Sequence, residues 1–359
     1  MNKQLDQVHI QGFKSIRDQT IQLEDLNVLI GANGAGKSNF ISMFRFLNEM
    51  VAQNLQVFVG QSGGANTFFY HGSKITPAFS LYLEFGDNVY HVVFVSSSDQ
   101  RLIFKDERCA YKPSGNVIFA RGHQETFLVE QAKDHPRRIA DHVLKALKGW
   151  QVYHFHDTSA TAAVKRLGDL HDNRFLRPDA SNLAAYLYFL RERHHAYYTN
   201  IVDTIRLVAP FFRDFELDSN RLYESQIRLE WSEFGNPIPF DASALSDGTL
   251  RFICLAVLLM QPELPSAVII DEPELGLHPY ALVLLASLLK SAATRTQVIV
   301  STQSVPLVNQ FDPEQVIVVD REEGASIFKR LSSENLEDWL EDYGVGELWE
   351  KNLIGGRPR

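Results

Sequence analysis

The residues Gly31-Ala32-Asn33-Gly34-Ala35-Gly36-Lys37-Ser38 match the spacing GxxxxGK[ST]. Glycines in such a loop let the backbone curl until successive N–H groups converge on an anion. The positive end of a following helix adds to the field. Lys37 is the type of residue that reaches the β- and γ-phosphates of a nucleotide, and the Ser38 hydroxyl the type that binds Mg²⁺. Asn33, Gly34, Ala35, Gly36, Lys37, Ser38 and Asn39 therefore form the candidate phosphate cradle.

A second constellation lies far along the chain. The run Ser266-Ala-Val-Ile-Ile-Asp271-Glu272-Pro273 reads as a buried strand ending in two acids. Asp271 would bind the metal or hold its waters, and Glu272 would act as general base on an attacking water. Ahead of it, Ala244-Leu-Ser-Asp-Gly-Thr-Leu-Arg251 opens an apolar helix. Ser246 is a natural N-cap, and Gly248 leaves backbone N–H groups uncovered. The turn is therefore either a plain helix cap or an anion-binding helix start.

The elements that must position these groups follow from periodicity. Residues 5–30 read as strand segments, VHIQGF and IQLEDLNVLI, that run into the glycine loop and then into a helix over SNFISMFRFLNEM. FSLYLEFGDNVYHVVFV alternates on both sides of Gly86-Asp87-Asn88, as a β-hairpin does. Residues 101–130 read as short strands, Asp134–Lys148 as a helix, and Ser181–Val208 as one helix with Leu183, Leu187, Leu190, His194, Ile201, Ile205 and Val208 on one face. From residue 249 the pattern is α/β: TLRFICLAVLLM, AVII, PYALVLLASLLK, QVIVS, a short helix and QVIVVD. The expected division is an N-terminal lobe over 1–130, a mainly helical insertion over 131–240, the acids and signature turn over 241–330, and an acidic tail over 331–359.

Composition narrows the class. The net charge is −9, yet residues 133–193 carry 11 Lys/Arg against 7 Asp/Glu, net +4, while residues 312–350 carry 3 against 12, net −9. Solvated helix faces or a surface for a phosphate backbone both fit the basic part. No apolar run approaches the ~18 residues that span a bilayer, and MNKQLDQVHI lacks the apolar region of a signal peptide. The expected location is cytoplasmic. Cys109 and Cys254 lie far apart with no CxxC, so no disulfide or zinc framework is encoded. His154 and His156 would share a strand face, but no second cluster completes a metal ligand set.

ALSDGTLR placed ahead of Asp271 resembles the signature motif of ABC-type ATPases. GANGAGKSN, DEPELGLHP and IQGFKSIRDQTIQLEDLNVLIGANGAGKSN resemble the RecF, SMC and OLD branch. YHFHDTSATA, DNRFLRPDASNLAAYL and GELWEKNLIGGRP extend the likeness to a family of bacterial predicted ATPases over nearly the whole chain. The resemblance implies an α/β fold: an ABC-type P-loop ATPase head with an antiparallel β subdomain and a helical insertion, without a long coiled coil. It implies ATP and Mg²⁺ as cofactors and an ATP-clamped, head-to-tail homodimer. In that dimer Ser246 and Gly248 would meet the nucleotide held by the other copy. Asp247 departs from the glycine usual in transporters. Gln303, in STQS at the end of QVIVS, stands where the wider family commonly has a switch histidine; glutamine cannot take up a proton at neutral pH, so hydrolysis is expected to be slow. Lys14 stands where this branch often has a basic residue near the nucleotide. His278 is read either as facing the dimer partner or as packing at a helix start. Catalysis is thus assigned to Glu272, Lys37 and Gln303, and metal binding to Ser38 and Asp271. Double-stranded DNA and an unidentified protein effector stand as further partners, and no membrane is expected. AAA+ membership would need an arginine finger and a sensor pattern not found in the chain. The roughly 40 residues after Asp320 are too few for an added nuclease domain.

Overall fold

The computed structural model describes residues 4–357 apart from 114, 120, 137 and 219–222. The chain forms two compact units: Met1–Val152 with Pro265–Ile269 and Thr296–Arg359, and Tyr153–Leu264 with Ile270–Arg295. Among the described residues no helix is long and apolar enough to cross a membrane.

The first unit is built on two six-stranded sheets. In one, Leu26–Ile30 pairs in parallel with Gln297–Ser301 on one side and Val316–Glu322 on the other. Ala325–Arg330 adds an antiparallel edge beyond Val316–Glu322, and Ala267–Asp271 and Trp150–Tyr153 continue the opposite side. Leu26–Ile30 is buried at every position, as a strand covered on both faces must be. The other sheet is antiparallel and joins Ile16–Gln22, Gln7–Phe13, Phe79–Phe85, Asn88–Ser96, Leu102–Tyr111 and Gly115–Ile118 in that order. The hairpin expected around Gly86 is present, with Phe85 opposite Asn88 and Gly86 at φ 61°. Its inward residues meet the helix Lys37–Val51 in an aromatic core, where Phe46 lies 5.9 Å from Phe13, 5.9 Å from Phe79 and 5.3 Å from Phe94 between ring centroids.

Several elements differ from the sequence reading. IQLEDLNVLI is split between two strands, because Asn27 bonds the backbone N–H and carbonyl of Glu24 and turns the chain there. Residues 101–130, expected as short strands, hold one ten-residue strand, Leu102–Tyr111, one short strand, Gly115–Ile118, and the start of the helix Leu128–Asp134. The helix expected over Asp134–Lys148 begins at Ile139, three residues after Pro136, and a separate helix covers Leu128–Asp134. The strand Ala325–Arg330 was not anticipated.

In the second unit the helix expected over Ser181–Val208 is two, Leu183–Arg193 and His195–Val208. They are broken at His194, whose φ of −134° leaves helical space. Leu183, Leu187, Leu190, Ile201 and Ile205 are buried while His194 and Val208 are half-buried, so most of the predicted face survives the break. Asp247–Met260 and Pro279–Ala293 pack together, and a three-stranded antiparallel sheet joins Phe212–Glu216, Glu230–Glu233 and Phe240–Asp241.

Candidate functional site

In the first unit the glycine loop leaves the buried strand Leu26–Ile30 and feeds the helix Lys37–Val51. Gly36 is the N-cap residue and gives no side-chain cap, so the first N–H groups of a 15-residue helix have no side-chain acceptor. Asn33, Gly34 and Ser38 are exposed, while Ala35, Gly36 and Lys37 are buried. The Lys37 ammonium folds back over the loop and donates to the carbonyls of Gly31 at 2.6 Å and Ala32 at 3.2 Å.

The loop is braced from outside. Ser326, on the edge strand, donates to the Ala35 carbonyl at 2.6 Å and lies 2.7 Å from the Ser15 hydroxyl. Asn39 donates to the same Ser15 oxygen at 2.7 Å. Gly36 has φ 123°, and a Cβ there would lie 2.1 Å from Ser326 Oγ, so both torsion and space demand glycine. Ser15 and Ser326 carried no signal in the sequence, because only the fold brings positions 311 apart into contact.

A polar cleft of about 350 Å³ adjoins the cradle, sharing Ser15 and Asn39 and lined also by Lys14, Tyr70, His71 and Arg321. Lys14 has φ 50°, and its ammonium sits 5.6 Å from the Phe68 ring centroid. Burial, then the Arg45 charge, holds its pKa below the usual lysine range. An anion in the cleft would relieve both. Gln303 follows the strand Gln297–Ser301, in which Ser301 pairs with Leu29, and the Thr302 N–H donates to the Leu29 carbonyl at 3.0 Å. Gln303 is thereby held beside the strand that enters the loop, half-buried.

The second unit carries the Ser246 turn and the two acids. Ser246 caps Asp247–Met260, its Oγ accepting from the Thr249 N–H at 3.1 Å and lying 2.8 Å from Thr249 Oγ1. Ser246 and Asp247 are exposed. Beneath them the guanidinium of Arg251, 6% exposed, donates to the carbonyls of Phe155 at 2.9 Å, His156 at 3.2 Å and Leu275. Burial lowers its pKa, with Asp247 opposing. One side chain thus fastens the helix of the serine turn to YHFHD and to the loop after the two acids. Sequence reasoning missed Arg251, since an arginine at a helix start looks like any solvated charge.

Asp271 closes its strand with one carboxylate oxygen buried and without a hydrogen-bond partner. A buried, unmatched anionic oxygen is costly and is well suited to a cation. His156 Nε2 donates to the Asp271 carbonyl at 2.8 Å. Glu272 has φ 46°, a left-handed backbone unusual for a non-glycine residue, which turns the chain sharply at the proposed base. His278 caps Pro279–Ala293 through Nδ1, 3.3 Å from the Tyr280 N–H, in line with the helix-start reading. The His154 and His156 rings lie 6.1 Å apart, and no group of three metal-ligating side chains occurs among the described residues. Cys109 and Cys254 are both buried free thiols, and burial pushes Cys254 up to about 12.

Comparison with known proteins bears on the fold. The structure is similar to a crystal structure of the SmcHead bound to the C-winged helix domain of ScpA, with TM-score 0.59, 18% identity, and coverage of 93% of this chain and 99% of that one. It is also similar to an Smc head domain with an extended coiled coil bound to the C-terminal domain of ScpA, derived from Pyrococcus furiosus, with TM-score 0.55, 15% identity, and coverage of 94% and 98%. At these identities the likeness is one of fold, that of an SMC-type ATPase head, with no long coiled coil among the described residues. A stretch of 55 residues is 44% identical to structural maintenance of chromosomes protein 3 of Arabidopsis thaliana, covering 14% of this chain and 5% of the length of that protein. The AAA wording of the family that matches residues 26–309 differs from the sequence reading, which set AAA+ aside; the SMC-like fold is the one it expected. The match covers most of the chain, which belongs to the family described as "AAA domain, putative AbiEii toxin, Type IV TA system".

Proposed function

We propose that the chain binds Mg·ATP and hydrolyses it slowly within a head-to-tail homodimer, using the change between closed and open states to act on a partner. The observation that carries this reading is the braced glycine loop, with its uncapped helix start and Lys37 folded onto the Gly31 and Ala32 carbonyls. Asn33 to Asn39 would supply the N–H groups around the phosphates, and Lys37 would follow the γ-phosphate as its charge develops. Mg²⁺, when bound, would neutralise the phosphate oxygens. Ser38 and Asp271 are the residues assigned to hold it, and the unmatched oxygen of Asp271 supports that assignment. Glu272 would take the proton of the attacking water. Ser246 and Gly248 of one copy would face the nucleotide of the other.

The decisive experiment pairs two substitutions. Glu272→Gln is expected to retain ATP and accumulate dimers on size exclusion, and adding Ser246→Arg should abolish that accumulation. Parental turnover by Glu272→Gln would refute the general-base assignment. Full ATPase activity from a strictly monomeric chain would refute the composite site.

The partner reading is DNA or a protein effector, in repair or phage defence. The net charge of +4 over residues 133–193 supports the first. The ScpA domains on the similar Smc heads and the toxin-system wording of the family support the second. Gln303 favours an alternative, a nucleotide-gated scaffold that recruits its effector with negligible turnover. Hydrolysis stimulated by double-stranded DNA supports a DNA-coupled enzyme; tight ATP retention without turnover supports the scaffold.

A further inference from the structure

The first unit holds another cavity, of about 440 Å³, that the nucleotide reading leaves unused. Its walls come from the strands Asn88–Ser96 and Leu102–Tyr111 and from the helices Leu128–Asp134 and Ile139–Lys148. The volume lies within the ~300–1,000 Å³ of pockets that take small molecules. Cys109, Tyr111, Phe119 and Ile139 line it; Cys109 is fully buried, and burial raises its pKa so that the thiol stays protonated. Arg138, His135 and His142 line it too, Arg138 and His135 being exposed and His142 half-buried.

Those three side chains make no hydrogen bond or ion pair among the described residues, and no carboxylate is among the lining residues. The adjacent acid, Asp141, is held by Lys145 at 2.7 Å. A largely apolar chamber, which Asn88 and Gln131 also line, with a guanidinium and two imidazoles among its described lining residues, selects by sign. It offers burial to a hydrophobic body and a partner to an anionic head, while repelling a cation of the same shape.

We propose that this cavity binds a small monocarboxylate with an aryl or short alkyl body, its carboxylate at Arg138 and its body against Tyr111, Phe119 and Cys109. The site is independent of the ATP cradle, so it stands or falls apart from the reading above.

Three probes of matched shape test it by calorimetry on the full chain: 4-phenylbutyrate, 4-phenylbutanol and 4-phenylbutylamine. The acid is expected to bind saturably, one per chain. The alcohol should bind weaker by about tenfold or more, and the amine should not bind measurably. Arg138 is exposed, so Arg138→Glu should melt like the parent yet weaken the acid by about tenfold or more. Ile139→Trp, which fills the chamber, should remove binding of acid and alcohol alike. The proposal is overturned if the acid fails to saturate, if the alcohol binds as tightly as the acid, or if Arg138→Glu binds the acid like the parent.

Discussion

A Cβ on Gly248 would lie 2.1 Å from the carbonyl oxygen of Gly276, so the start of the helix Asp247–Met260 and the loop after the two acids are in backbone contact. No side chain can be inserted at that seam without moving one of them. Gly248→Ala is therefore expected to cost ~1–3 kcal/mol, the range for overpacking. Urea unfolding measures it, and a midpoint within error of the parent would mean the seam is loose.

Arg251 closes the same seam from below. Arg251→Met should leave the carbonyls of Phe155, His156 and Leu275 without their donor, at about 1–3 kcal/mol for each left buried and unmatched. Arg251→Lys, with one donor centre in place of a fork, should recover part of the loss. Equal stability of Met and Lys variants would show that packing alone is at stake.

The brace behind the phosphate loop predicts a binding phenotype. Gly36→Ala meets Ser326 Oγ and an unfavourable φ of 123° together. ATP affinity, read by fluorescence of a labelled nucleotide, should fall by about tenfold or more. Adding Ser326→Gly makes room but leaves the torsion, so rescue should be partial.

A pH effect follows from His91. Burial, then the Arg108 charge, lowers its pKa below 6.5, against the pull of Asp106, with His9 also lowering it. The neutral ring accepts from Arg108 Nε at 3.0 Å. The unfolded chain then binds the proton more readily, so stability is full above pH 6.5 and is lost as pH falls through the depressed folded value. Urea midpoints from neutral to mildly acidic pH should fall less steeply in His91→Gln than in the parent. Parallel curves would remove His91 from the account.

Gln303 tests the choice between enzyme and scaffold. Gln303→His restores a group that can take up a proton, and steady-state turnover should rise severalfold with a new pH dependence. Unchanged turnover would mean that hydrolysis is limited elsewhere.

Much of this was legible because it rests on local rules. The glycine spacing, the buried strand before it, the Gly86 hairpin and the Ser246 cap each state their geometry within a few residues. What stayed hidden depends on distant pairing. Ser326 braces Ala35 only because an unforeseen edge strand folds back antiparallel, and nothing in ASIFKR singles out its serine. Arg251 reads as surface charge until three carbonyls are found around it. The break at His194 was masked because the apolar spacing continues across it, so periodicity reported the shared face and not the interruption.

The side-chain amide of Asn309 accepts from the N–H groups of Gly346 at 2.8 Å and Glu347 at 3.2 Å, and Val345–Glu350 packs on Val305–Val308, just past Gln303. A clone cut short before Val345 would do more than discard acidic residues. It would remove the helix packed on Val305–Val308 and leave Asn309 without the N–H groups of Gly346 and Glu347, so a trimmed chain should be treated as a different protein when its ATP turnover is assayed.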